Sequence, residues 1–217
     1  MSDERYIKKS KQIALKILGQ SNNCLDSQAL FNAASTVPEL AAAWIRYWDG
    51  VVHEVPTQVI AAFARHYKQY RADLNLAGLY YNEQPPQHLN NCIILVGDTV
   101  SMLRLTGQHR VYILGKSTVQ CSGRLSVIVN SPDADVTLND TARAVIEAGY
   151  IECFDRTSVV GKGTITCHDC ATLNVTGGHV TDHGHLRITA FGDVTIDTFT
   201  RRGITLNGNA QLNLRQK

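Results

Sequence analysis

Apolar positions along this chain follow two rhythms, and the change falls near residue 90. Over residues 3–18, Tyr6, Ile13 and Ile17 recur at helical spacing against a polar face carrying Arg5, Lys8, Lys9, Lys11 and Lys16. This pattern predicts an amphipathic helix, capped by Ser2 or Asp3 and stopped by Gly19. A second helix opens at Asp26 or Ser27 and runs through Ala34. Pro38 and Pro56 each sit where a first helical turn tolerates a missing N–H, ahead of LAAAWIRYW and TQVIAAFARHYKQY. The last of these carries Val59, Ile60, Phe63, Tyr67 and Tyr70 on one side, a stripe suited to packing.

Past residue 90 the alternation becomes that of strands. Leu103, Val111, Val119 and Val127 are eight residues apart, and each is followed two positions later by Leu105, Ile113, Cys121 or Val129. The register slips at Val136 and Leu138, wanders between Ala144 and Ala148, and resumes at Ile151 with Cys153. It then passes through Val159, Ile165 with Cys167, and Leu173 with Val175, and continues at Ile188, Ile196, Ile204 and Leu212. Turn formers such as Gly107, Gly123, Gly161 and Asn207–Gly208 separate the anchors. A lone unit cannot bury its inward pair, but stacked coils line the pairs up into a continuous core. The expected fold is therefore α+β in two parts: a small helical domain (1–84), a linker around Pro85–Pro86 (85–91), and a parallel β-solenoid with an eight-residue repeat (92–217). Two units per coil give a flattened solenoid and three a triangular one, and the period leaves both open.

The units STVQCSGR, YIECFDR, TITCHDC and HLRITAFGD carry a resemblance over residues 92–217 to the parallel β-solenoids of bacterial structural proteins, with the bactofilin cytoskeletal scaffolds as the nearest comparison. The resemblance implies a structural role. The six-residue spacing of hexapeptide acyltransferases is not the one found here.

Composition narrows the function. With 217 residues and 44% hydrophobic content the chain can bury a real core. Nine Lys/Arg oppose eight Asp/Glu up to residue 90, and twelve oppose eleven after it, so no broad basic surface invites nucleic acid. The charged N-terminal stretch lacks a signal-peptide core, no later stretch is apolar enough to span a bilayer, and the cytoplasm is the expected location. Six cysteines without an export signal read as thiols.

Cys167-His168-Asp169-Cys170, followed by His179, His183 and His185, has the residue types of a tetrahedral zinc site. The repeat supplies the competing reading, in which Cys167 occupies the small inward position also held by Cys121, Cys153 and Ala190 and turns His168 outward. The expectation is no metal and no cofactor. The neighbours His168–Asp169 and Asp182–His183 carry acid–base groups, but strand neighbours point to opposite faces, and no acid recurs at one repeat position to suggest a catalytic or calcium groove. No P-loop, dinucleotide fingerprint or nucleophile elbow is present.

Ends and surfaces remain. Outward threonines (Thr118, Thr137, Thr166, Thr195, Thr205) and the tyrosines Tyr80 and Tyr81, taken as exposed beside the proline break, are the features a glycan-binding surface would use. The helical domain precedes the first coil and can cover it, whereas the last anchors, Leu212 and Leu214, have no following cap. Arg215 and Lys217 blunt that edge in part. The expected function is a non-enzymatic structural or interaction module, self-associating or docking a protein through its C-terminal coil. Glycan or surface-ligand binding comes next, and a polysaccharide-acting β-helix enzyme third.

Overall fold

The computed structural model describes residues 3–19, 25–51, 57–169, 171–184 and 186–215. The readings placed on Ser2, Pro56, Cys170, His185 and Lys217, and on the side chains of Asp26 and Ser27, lie outside the described residues. The chain divides into two compact units, residues 1–81 and 82–217.

The first unit holds four helices, α1 (Asp3–Gly19), α2 (Leu25–Ala33), α3 (Val37–Val51) and α4 (Thr57–Leu76), and a short strand β1 (Leu79–Tyr81). The buried stripe of α1 is Tyr6, Ser10, Ala14 and Leu18, with Ile13 and Ile17 half-buried on its flank. Ser10 is tolerated inside because its Oγ accepts the indole N–H of Trp44 at 3.0 Å. A capping box starts α3: the Thr36 hydroxyl accepts the Glu39 N–H at 3.3 Å, and the Glu39 carboxylate accepts the Thr36 N–H at 3.1 Å. The Ser35 N–H at 2.7 Å foremost, then the Ser35 hydroxyl at 2.9 Å and the Thr36 N–H, hold the Glu39 carboxyl below its ordinary range. The aromatics pack in edge-to-face pairs, Phe31 with Trp44 at 5.0 Å and Tyr6 with Phe63 at 5.9 Å. Among the described residues no helix is long and apolar enough to cross a membrane.

The second unit is a parallel β-solenoid of about eight turns. Its strands are β2 (Ile93–Val96), β3 (Leu103–Leu105), β4 (Arg110–Ile113), β5 (Ser117–Cys121), β6 (Ser126–Leu138), β7 (Arg143–Cys153), β8 (Ser158–Cys167), β9 (Thr172–Asp182), β10 (Arg187–Phe191), β11 (Val194–Thr198), β12 (Ile204–Asn207) and β13 (Gln211–Leu214). Register decides the cross-section left open above. Leu103 pairs with Val119, two periods further on, and Ile188 pairs with Ile204, again two periods on. Each coil therefore consumes two of the eight-residue units, and the solenoid is two-sided. The first sheet comprises β2, β4, the opening halves of β6–β9, β10 and β12; the second comprises β3, β5, the closing halves of β6–β9, β11 and β13.

The disturbed stretch near residues 130–150 is a change in how one edge of the coil is crossed. From β6 to β9 a single strand bends through the edge, with register shifts at Asn130, between Ile146 and Tyr150, and at Gly161/Lys162. Coils there fall short of two full periods, as between the paired Ile151 and Ile165, without losing the inward rows. Gly161 is required at such a bend: its φ is +122°, and a Cβ there would collide with the Ile146 carbonyl oxygen. The segment read as a linker is tied to the first coils. Within it the Asn91 N–H donates to the Gln108 carbonyl at 2.7 Å and Pro85 is buried, and just before it Gln84 Oε1 accepts the Thr106 N–H at 2.8 Å.

Candidate functional site

The inward row of the second sheet reads Leu105, Cys121, Leu138, Cys153, Cys167 in successive coils, and continues through Asp182, Thr198 and Leu214. Cys167 is thus a core residue between Cys153 and Asp182, and it is fully buried. The adjoining Cys153 thiol, burial and the Asp182 carboxylate all hold the Cys167 thiol protonated, far above its ordinary range. Burial alone pushes the Cys121 thiol up to about 12. Cys92, Cys121, Cys153 and Cys167 are all free thiols. Ala190 is not in this row; it faces inward from the first sheet, paired with Val175 and Leu206.

The proposed metal ligands diverge. Cys167 points into the core, and His179 stands on the outer surface of the second sheet, 3.4 Å from Asp197. His183 lies at the coil edge, where its ring stacks on His168 at 5.2 Å. Among the described residues no group of three His, Cys, Asp or Glu side chains is placed to hold a metal ion. The edge imidazoles belong to a ring ladder that rises one coil at a time: Phe154 on His168 at 4.6 Å, His168 on His183, and Phe199 beyond at 6.4 Å. Glu152, on the coil before, holds the His168 Nε2 at 2.8 Å.

Two acidic features were not foreseen. Asp182 occupies the row that cysteines and leucines hold elsewhere and is 2% exposed. Its carboxylate accepts the Thr198 hydroxyl at 2.7 Å and the Gly184 N–H at 2.8 Å. The signal was present: Val180-Thr181-Asp182 follows Ile165-Thr166-Cys167 by one coil and matches it position for position, but an aspartate does not read as an anchor. The second feature corrects the expectation that no acid recurs at one repeat position. Asp140, Asp155 and Asp169 recur at one turn in successive coils, and each accepts a backbone N–H of the preceding coil: Gly123 at 2.8 Å, Asp140 at 2.9 Å and Asp155 at 3.1 Å. Those donors lie in left-handed backbone, with φ of +85° at Gly123, +61° at Asp140 and +58° at Asp155, which turns the amide toward the next coil. The carboxylates are committed to holding turns.

At the C-terminal coil the inward positions lose their cover. Ile204, Leu206, Leu212 and Leu214 are in register with Ile188, Ala190, Ile196 and Thr198, and are thus core positions by geometry. Leu206 is nevertheless 40% exposed and Leu214 50%, while Ile204 and Leu212 are half-buried. Among the described residues no strand pairs with the outer edge of β12 or β13. Arg215 does not shield that edge, because its guanidinium turns back 2.8 Å from Asp197 of the coil before. Asn213 also donates to Asp197, at 3.0 Å, and these two partners, Arg215 first, hold the Asp197 carboxyl below its ordinary range. Such rungs fix the last coil in place while leaving its core side bare.

The remaining candidates separate. Tyr80 is 3% exposed and Tyr81 half-buried, packed edge-to-face on Tyr67 at 5.9 Å, so the exposure expected of Tyr80 is corrected: it is a packing residue. The five threonines form no ladder. Thr118 and Thr195 share one outward row of the second sheet but are parted by Asp135, Tyr150, Thr164 and His179, Thr137 and Thr166 lie on the next row with Glu152 between them, and Thr205 is on the first sheet. The solenoid is shown, and the bactofilin comparison extends no further than that architecture. No family model, characterised protein or solved structure matches the chain.

Proposed function

We propose that this chain is a non-enzymatic structural module that self-associates through the last coil of its solenoid. The carrying observation is the row Ile204, Leu206, Leu212 and Leu214, which keeps core register while Leu206 and Leu214 are exposed and Ile204 and Leu212 only half-buried, beside strand edges unpaired among the described residues. A second copy presenting the same coil offers the same row and the same free N–H and C=O groups. A two-fold pairing is therefore self-complementary and closes at a dimer. The absence of chemistry in the reading is supported by the carboxylates: Asp140, Asp155 and Asp169 are spent on backbone amides, and Asp182 is buried and hydrogen-bonded.

Light scattering over a concentration series tests it. The wild-type mass is expected to rise from that of one 23.9 kDa chain toward two, and Leu212→Asp and Leu214→Asp are expected to remain at one. A wild type that stays monomeric throughout, or variants that dimerise equally well, would overturn the reading.

A further inference from the structure

The two outer faces of the solenoid differ in a way that the near-zero charge of the chain conceals. On the first sheet one outward row reads Arg110, Ser126, Arg143, Ser158, Thr172, Arg187 over successive coils. No acid occupies an outward paired position of this sheet; Glu147 lies at the bend, beyond the register. Arg143 and Arg187 are exposed, and neither side chain makes a hydrogen bond or ion pair among the described residues. Beside this row runs an aliphatic one, Ile128, Val145 and Val160, with Val145 39% and Val160 42% exposed. Beside Arg143, the short side chains of Ser158 and Thr172 leave a groove of about 590 Å³, which Arg156, Val145 and Val160 also border, and Arg187 stands one coil beyond Thr172.

The second sheet differs, with Arg104 its one outward arginine among the paired positions. Its outward acids are Asp135, Glu152 and Asp197, of which Glu152 is held by His168 and Asp197 by Arg215. No aliphatic residue stands outward among its paired positions. The second sheet of another copy therefore does not match the first sheet in both charge and apolarity.

We infer that the outer face of the first sheet is a docking surface for an acidic, leucine- or valine-bearing segment of a different protein. Carboxylates of that segment pair with Arg143 and Arg187, and its apolar side chains cover Val145 and Val160. Arginine suits the task because its fork takes a carboxylate through two parallel hydrogen bonds. The three coil steps from Arg143 to Arg187 span about 14 Å at roughly 4.8 Å per coil, a length that about ten residues of helix match at ~1.5 Å each. The surface is separate from the last coil, so it does not depend on self-association.

The test uses the full chain and a fluorescein-labelled peptide of about 14 residues, with glutamates and leucines alternating at helical spacing. Anisotropy at low salt should show saturable binding. Arg143→Glu with Arg187→Glu, and separately Val160→Asp, should each weaken it by about tenfold or more. Thr164→Glu on the second sheet should leave it unchanged, as should Leu212→Asp, which separates this surface from the association end. Equal binding of a Leu→Ser peptide reduces the surface to ion exchange and overturns the inference. Failure of the leucine peptide to bind also overturns it, whether or not phosphatidylserine vesicles bind.

Discussion

Thr198→Val is the sharpest probe of the buried carboxylate. The substitution keeps the shape of the side chain and removes the hydroxyl, which donates to Asp182 at 2.7 Å and accepts the Thr200 N–H at 3.1 Å, leaving the carboxylate with the Gly184 N–H. A hydrogen bond to a charged group in such a setting contributes about 1.5–3 kcal/mol, and an under-solvated carboxylate adds to the loss, so the variant should be destabilised by about 2–3 kcal/mol. Replacing both members is a different perturbation. Asp182→Cys extends the row of Cys153 and Cys167 by one coil with a residue of nearly the same size, and with Thr198→Val it removes the carboxylate and the hydroxyl together, leaving the Gly184 and Thr200 N–H groups without those acceptors. Asp182→Cys alone should cost about 1–2 kcal/mol through the Gly184 N–H, and the double variant about 2–3 kcal/mol rather than the roughly 3–5 kcal/mol of the two losses summed, a coupling of about 1–2 kcal/mol. Equilibrium urea unfolding under reducing conditions measures each corner of the cycle, and hydrogen exchange of the β9 and β11 amides confirms that the change is local to the solenoid. A Thr198→Val cost under about 0.5 kcal/mol, or a double variant as unstable as the two single losses summed, refutes this account of the pair.

Two further outcomes follow from backbone and burial. His109 is 3% exposed and accepts the Cys92 N–H on Nδ1 at 3.3 Å, and burial lowers its pKa below the ordinary 6.5. The folded state thus favours neutral imidazole while the unfolded chain takes up a proton, so the stability from this group is present above pH 6.5 and lost as pH falls below it. Unfolding free energies of wild type and His109→Gln, compared across that window, should show the shallower acid slope in the variant; equal slopes refute the assignment. Gly161→Ala should lower stability by about 1–3 kcal/mol through its positive φ and the clash with the Ile146 carbonyl, whereas Gly177→Ala, with nothing nearer than 3.5 Å, should change little in a thermal melt.

Much of the architecture was legible because the inward pairs are mostly aliphatic and evenly spaced. Leu103 to Val127 show both the period and the strand alternation, and the same register puts Cys167 in the core, where it is fully buried. The number of units per coil was not legible, since it depends on whether Val119 returns over Leu103 or stops at a third side, and the spacing is the same either way. Ala144–Ile146 was lost because bends shorten the coil, and Val180–Asp182 because a polar residue took a core place. The aspartate turns were invisible for a related reason: the steps from Asp140 to Asp155 and from Asp155 to Asp169 are unequal and both fall short of two periods, so a fixed eight-residue frame never aligns them. In the helical unit, hydrophobicity alone made Ile13 and Ile17 the inner face of α1, while the indole of Trp44 draws in Ser10 instead. The separation of charge between the two faces escaped notice because composition sums over both.

The aspartate turns carry a direction. Every one of these bonds runs from a carboxylate to an amide of the preceding coil, so each coil arrives bearing the group that fastens it to the coil before. A chain leaving the ribosome amino end first meets this arrangement in its natural order: the finished coil waits with its turn amide presented, and the next one to emerge brings the clasp. Asp140, Asp155 and Asp169 all stand at exposed turns, so when such a contact opens both the amide and the carboxylate return to water, and the clasp can order the coils without stranding a charge.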